Sequence, residues 1–261
     1  MIEEPYRWVE AISNRREYIE DQLATGSPIA CLSCAAGILF LTIGRERQKI
    51  FEIYDRIAMG AVGHPGDIER LRMAAIEVAS TEGFVRSAND VSLRRLANYS
   101  LSPALKTAFE QVYGAPYLAR MIFAELGRGS APNLLMRMEY DGSIHTNGGT
   151  LGRSFEDFGV VSGTAHSTGM MEKFLAGKSL AQAPLEEALQ IALEAWSVGH
   201  IALAPDASDE IPPAETVSGH LKEHLAASAI EAALLDKGAG TPASYRTVSA
   251  TELDPVLKRL A

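Results

Sequence analysis

The stretch from Ser27 to Gly63 constrains this chain most. Two apolar runs, Ile29–Ser33 and Ile38–Ile43, are separated by the small residues Cys34-Ala35-Ala36-Gly37. Short apolar runs bounded by turn signals read as buried strands, here the two arms of a hairpin. A polar tip, Gly44-Arg45-Glu46-Arg47-Gln48, leads into Lys49-Ile50-Phe51-Glu52-Ile53, and Ile57–Gly63 is apolar again. Four short strands follow one another, with a lysine at the head of the third. The rest of the chain must cover this sheet or complete it.

Upstream, Pro5 to Leu23 reads as a helix. Trp8, Ala11, Ile12, Ile19 and Leu23 form a narrow apolar stripe, and Arg7, Glu10, Arg15, Arg16, Glu17, Glu20 and Asp21 fill the other face. So narrow a stripe suits packing on a neighbour; the alternative is a surface helix of the same chain. Downstream, His64-Pro65-Gly66 is a turn, and Asp67 is placed to cap a helix running to about Ser80. A second helix spans Asp90–Val112, with Pro103 predicted to kink it. Tyr117–Leu126 and Asn133–Tyr140 read as strands. Tyr140-Asp141-Gly142-Ser143 carries the Asp-Gly hairpin signal, and Phe155–Gly163 is expected to continue the second sheet.

Helices follow at Ser167–Ala176 and Pro184–Val198. His200–Ala226, polar and holding Pro205, Pro212 and Pro213, reads as a loop. Ser228–Leu235 and Tyr245–Ser249 are strands, and Thr251–Leu260 is a short helix. Strands in blocks and helices in pairs give an α+β fold. The expected architecture is a four-layer αββα sandwich of two antiparallel sheets between helix pairs, with an extra N-terminal helix, as one domain over 1–261.

Composition narrows the function classes. A net charge of −9 argues against nucleic acid and acidic membrane surfaces as partners. No run approaches the roughly 18 apolar residues of a membrane span, and the acidic start Met1-Ile2-Glu3-Glu4-Pro5 is no signal peptide. Two cysteines, Cys31 and Cys34, fit a cytosolic chain. Their C-x-x-C spacing invites a redox or metal reading, but no second pair exists and the strand is apolar, so buried structural thiols are expected. His145, His166 and His200 are scattered, and His64 sits in a turn. His220 and His224 stand at helical i, i+4 spacing, which could hold a metal. No acid or cysteine constellation joins them, and neither metal nor cofactor is expected.

Taken together, these segments resemble the proteasome family, most closely the α-type subunits of bacterial 20S proteasomes. The resemblance rests on the helix before the first strand and the hairpin ending Gly37-Ile38-Leu39-Phe40. It rests also on the run Gln48-Lys49-Ile50-Phe51-Glu52-Ile53-Tyr54-Asp55-Arg56-Ile57, the paired helices after Gly63, the Tyr140–Ser143 hairpin and the helix Leu185–Trp196. The family fold is an αββα sandwich, in agreement with the order read from the segments.

Catalytic members use an N-terminal nucleophile freed by cleavage after glycine, whose own amine serves as base. Here Ser27, after Gly26, falls at that position. Lys49 matches the family lysine, and Asp157 the later carboxylate. Ile43 stands where active subunits carry a carboxylate, and Pro28 stiffens the backbone after Ser27. With the sequence running on from Met1, Ser27 is expected to stay internal, without a free amine.

The resemblance therefore implies a non-catalytic subunit. It would form a ring, expected to be a heptamer, with copies of itself and would stack on a β-type subunit. Residues 1–25 would supply the gate and ring-packing helix, with Trp8, Ile12, Ile19 and Leu23 against neighbours. Lys49 would bind the C-terminal carboxylate of a ring-shaped ATPase or other activator, and unfolded proteins would pass through in the cytoplasm. The rivals are a self-processing hydrolase using Ser27, Lys49 and Asp157, and a ring scaffold without a β partner.

Overall fold

The computed structural model describes residues 4–45, 47–111, 113–146 and 157–260. The gate residues ahead of Glu4, Val112 at the end of the expected second helix, and the first two residues of the expected strand Phe155–Gly163 lie outside them. A helix, α1 (Glu4–Leu23), leads into β1 (Ile29–Cys34), β2 (Gly37–Gly44), β3 (Ile50–Tyr54) and β4 (Ile57–Gly63). Next come α2 (Pro65–Val85), then α3 (Leu93–Leu96) and α4 (Ser102–Glu110) joined by a π turn at Ala97–Leu101. Strands β5 (Ala119–Glu125), β6 (Leu134–Met138), β7 (Ile144–Thr146) and β8 (Phe158–Val161) precede α5 (Ala165–Leu175), α6 (Leu185–Ile201) and α7 (Ala214–Ala227). The chain closes with β9 (Ala229–Asp236), β10 (Tyr245–Thr247) and α8 (Ala250–Leu260).

The strands form two antiparallel sheets, in the orders β10-β9-β2-β1-β8 and β3-β4-β5-β6-β7. Alternation along β1 and β2 sorts their side chains between two cores. Ile29, Cys31, Ile38 and Phe40 point between the sheets, where Ile122 and Val161 meet them. Ala30, Leu32, Leu39 and Leu41 point outward, under Leu189, Leu193 and Trp196 of α6. On the far side α2, α3 and α4 cover the second sheet through residues such as Leu71, Leu93 and Leu105. Each such side chain contributes about 1.5–3 kcal/mol by leaving water, and both faces of both sheets are occupied. That is the expected αββα order.

The β1–β2 turn needs glycine. Gly37 has φ of 144°, and a Cβ there would meet the Leu235 carbonyl oxygen at 1.9 Å. Both backbone and space therefore select the residue.

Four expectations are corrected. The strand expected at Phe155–Gly163 does not extend the second sheet. Its described part, β8, lies beside β1 in the first, with Ala30 opposite Val160, so the chain crosses between sheets after β7. Asp67 does not cap α2. Pro65 enters the first turn and His64 becomes the N-cap, which puts Asp67 inside the helix, where its carboxylate accepts from the Leu118 backbone N–H at 3.0 Å. The single helix expected over 90–112 is instead α3 and α4 with the π turn between them, and Pro103 enters the first turn of α4, where a ring that lacks an N–H is tolerated.

The fourth correction concerns His200–Ala226, which is no loop throughout. α6 runs on to Ile201, and 214–227 forms α7. Val217 and Leu221, four residues apart, are buried under this otherwise polar helix in the same core as α6. Pro213 supplies its start.

Candidate functional site

Two of the polar residues singled out in the sequence, Ser27 and Lys49, meet at the entry to β1. The approach to it is fixed by α1. Ile19 and Leu23 are fully buried and pack with Phe109 and Tyr140 of the same chain. The Glu20 carboxylate between them accepts from Arg120 Nη2 at 2.6 Å and from the Tyr140 hydroxyl at 2.7 Å. Arg120, only 5% exposed, also donates to Glu139 at 2.7 Å and to the Gly163 carbonyl at 2.6 Å. Its pKa stays above the ordinary value because the Glu139 and Glu20 carboxylates outweigh the effect of burial.

The expectation that all four stripe residues face a neighbour is corrected for Ile19 and Leu23. These two lie where α1 crosses the sandwich. Trp8, 44% exposed, and the half-buried Ile12 continue the stripe toward the accessible end of the helix.

Gly26 brings the chain through a narrow gap. A Cβ there would fall 2.0 Å from Val62 Cγ1, and its carbonyl accepts from the Gly163 N–H at 3.0 Å. The glycine read as a processing junction thus has a packing reason of its own. Beyond it, Ser27 is half-buried. Its hydroxyl donates to the Ile43 carbonyl at 3.0 Å and accepts from Trp196 Nε1–H at 3.1 Å. The proton a nucleophile would surrender is held by a carbonyl that cannot take it as a base.

Ser27 and Lys49 line one cleft of about 970 Å³, together with Arg45, Arg47 and Glu69. Lys49 is fixed through its backbone. Its N–H, with that of Ile50, donates to the Glu231 carboxylate at 2.8–3.0 Å. Glu231 comes from β9, so one half-buried carboxylate ties the head of β3 to the other sheet. Burial lowers the Lys49 pKa by more than the neighbouring Glu231 raises it. An incoming carboxylate would restore the favourable partner that burial removed from this ammonium.

Asp157 does not join them. Its carbonyl accepts from the Ser33 N–H at 2.7 Å, at the opposite end of β1. Six residues of strand, about 20 Å, separate that end from Ser27. The expected grouping of Ser27, Lys49 and Asp157 is therefore corrected, because β8 runs antiparallel to β1 and brings Ser162 and Gly163, not Asp157, to the cleft end. Cys31 and Cys34 are both buried free thiols on opposite faces of β1. An odd spacing in a strand cannot bring two sulfurs to one site, and burial raises both thiol pKa values.

His220 and His224 are joined by His200 from α6, with Trp196 stacked on His200 at 4.8 Å between ring centroids. Sequence reasoning passed over His200, Trp196, Arg120 and Glu231 as parts of this region. For the last two a signal existed: each is a charge inside an otherwise apolar strand.

Two antiparallel five-stranded sheets between helix layers, preceded by an N-terminal helix, are the sandwich architecture of the proteasome fold class. A family model described as proteasome subunit matches residues 39–195. Proteins named proteasome subunit alpha are similar over most of their length. The one from Frankia casuarinae is 32% identical over 87% of this chain and 84% of its own. Those from Kineococcus radiotolerans and a Nocardioides species are 31% and 28% identical, over 87% and 94% of this chain and 85% of each relative. The chain belongs to the proteasome subunit family.

Proposed function

We propose that this chain is a non-catalytic α-type subunit of a bacterial 20S proteasome. Seven copies form an outer ring stacked on a ring of β-type subunits in the cytoplasm. The segment ahead of α1 narrows the entrance for unfolded substrates, and an activator docks at the Lys49 cleft. No described helix is long and apolar enough to cross a membrane.

The observation that carries this reading is the anchoring of α1. Cleavage after Gly26 would remove Ile19 and Leu23 from an apolar cluster and take Glu20 away from a buried arginine. A leader that can be discarded is not built into the core; a helix kept for ring packing is. Trp8 and Ile12 remain to meet a neighbour. The Ser27 hydroxyl, engaged by Ile43 and Trp196, and the distant Asp157 argue against a self-processing hydrolase.

In the cleft Lys49 serves as a compact point charge for a terminal carboxylate, and Arg45 and Arg47 make the approach positive. A hydrogen bond to a charged group contributes about 1.5–3 kcal/mol, so Lys49→Ala is expected to weaken binding of an activator's C-terminal peptide by about 10- to 100-fold. The fold should be unchanged, since Glu231 holds the Lys49 backbone rather than its side chain.

The deciding experiment is co-expression with a β-type subunit, read by native and intact mass spectrometry. A full-length chain near 28.1 kDa within a two-component assembly that degrades unfolded protein supports the reading. A chain shortened to begin at Ser27, or rings that never take up the β partner, would overturn it in favour of the hydrolase or the stand-alone scaffold.

A further inference from the structure

Three imidazoles converge between α6 and α7, beside the cleft but outside it. We propose that His200, His220 and His224 bind one divalent transition-metal ion of the zinc class and so clamp α7 onto α6. This does not depend on the place of the chain in a ring.

The first support is position. One ring nitrogen from each histidine lies within 4.8 Å of the other two. His200 Nδ1 and His220 Nε2 are 3.1 Å apart. Two nitrogens on a tetrahedral zinc, at Zn–N distances of about 2.0–2.1 Å, sit about 3.3 Å from each other. One pair is already at that spacing, and the third imidazole needs to close by at most about 1.5 Å to reach the same geometry.

The second support is the direction of the lone pairs. The single proton of the Ser197 hydroxyl goes to the Val217 carbonyl at 3.1 Å. Ser197 Oγ must then accept from His220 Nδ1–H at 2.9 Å, which leaves the lone pair on Nε2, facing His200. The His224 Nδ1 donates to the His220 carbonyl at 3.0 Å, so its lone pair is on Nε2. Outer partners of this kind, a hydroxyl and a backbone carbonyl, are what orient histidine ligands in metal sites. On binding, His200 need only move its own proton from Nδ1 to Nε2, and no proton is lost.

The third support is availability. All three histidines are half-buried, which leaves a path for the ion and a coordination position for water. Imidazole ligands select zinc, cobalt, nickel or copper over magnesium or calcium.

The test is titration of the untagged, full-length chain with Co²⁺, followed by displacement with Zn²⁺. We expect one equivalent bound, with the visible absorption of a four-coordinate cobalt site that Zn²⁺ bleaches. Zn²⁺ should also raise Tm, as any ligand selective for the folded state must. His220→Gln and His224→Gln should each weaken binding by about tenfold or more, whereas His145→Gln, on β7, should leave it unchanged. His224 lies in the last turn of α7, so its variant keeps the fold, and circular dichroism confirms this before titration. No stoichiometric cobalt binding by the wild type overturns the proposal. So does equal affinity in the wild type and the folded His224→Gln chain, and the three rings are then a packing cluster only.

Discussion

Both terminal helices are fastened by an arginine between two carboxylates, yet the two fastenings differ in kind. Arg120 joins Glu20 of α1 to Glu139 and is nearly sealed from water. Arg246 joins Glu252 of α8 to Asp236, and its side chain is 37% exposed. The chemistry is the same and the surroundings are not. In the first cluster, losing a partner strands a charge in a low-dielectric setting, which is strongly destabilising. In the second, water takes the place of the lost partner. Burial, not the count of ion pairs, decides which helix the chain holds firmly.

The largest test breaks the buried cluster at its centre. Arg120→Ala removes charge-assisted hydrogen bonds to Glu20, Glu139 and the Gly163 carbonyl together, and even though Arg137 still reaches Glu139 at 3.2 Å it should cost about 3–5 kcal/mol, read as a fall in the denaturant midpoint at unchanged slope. Glu20→Gln keeps the shape and the Tyr140 contact while Glu139 still neutralises Arg120, so a smaller loss of about 1–3 kcal/mol is expected. If the two variants prove equal, the cluster is not a charge network. Arg246→Ala should cost only about 0.2–1 kcal/mol, and less in high salt. A loss comparable to that of Arg120→Ala would break the comparison outright.

Acid supplies the smallest effect. Hydrogen bonds from Arg246 hold the Glu252 carboxyl at about 2, below its ordinary 4.5. A carboxyl depressed by folding stabilises above its unfolded pKa and loses that contribution as the proton binds. The stability difference between wild type and Glu252→Gln should therefore be constant above pH 4.5 and shrink between there and pH 2. Parallel thermal melts at pH 7 and pH 3 measure it. A difference that instead vanishes between pH 7 and 5 assigns the effect to some other group.

Much of this architecture was legible in the chain. The strands announced themselves because β1, β2 and β4 are buried on both faces and therefore apolar but for Ser33 and Thr42, with Gly37 and the Asp141-Gly142 pair marking turns. α7 was illegible for the opposite reason: Val217 and Leu221, with the partly buried Leu225, carry its burial, too thin a stripe to stand out among histidines and acids. The reach of α1 was read correctly as a narrow stripe, but a periodicity does not say which half of it lies over the chain's own core. Asp157 was misplaced because a strand's residues can be recognised before its direction and sheet are known. His200 could not be joined to His220 and His224 from sequence, since the helix that holds it meets α7 only in three dimensions.

The two thiols of β1 have a use that follows from their opposite facings. Cys31 is sealed between the sheets and Cys34 beneath the α6 layer. Each becomes reactive only when its own layer parts from the strand. The rates at which a thiol reagent labels them are thus separate clocks for two kinds of breathing, carried by the unmodified chain. Equal rates mean the sandwich opens as one unit; a faster Cys34 means the outer helices peel away first while the paired sheets stay closed.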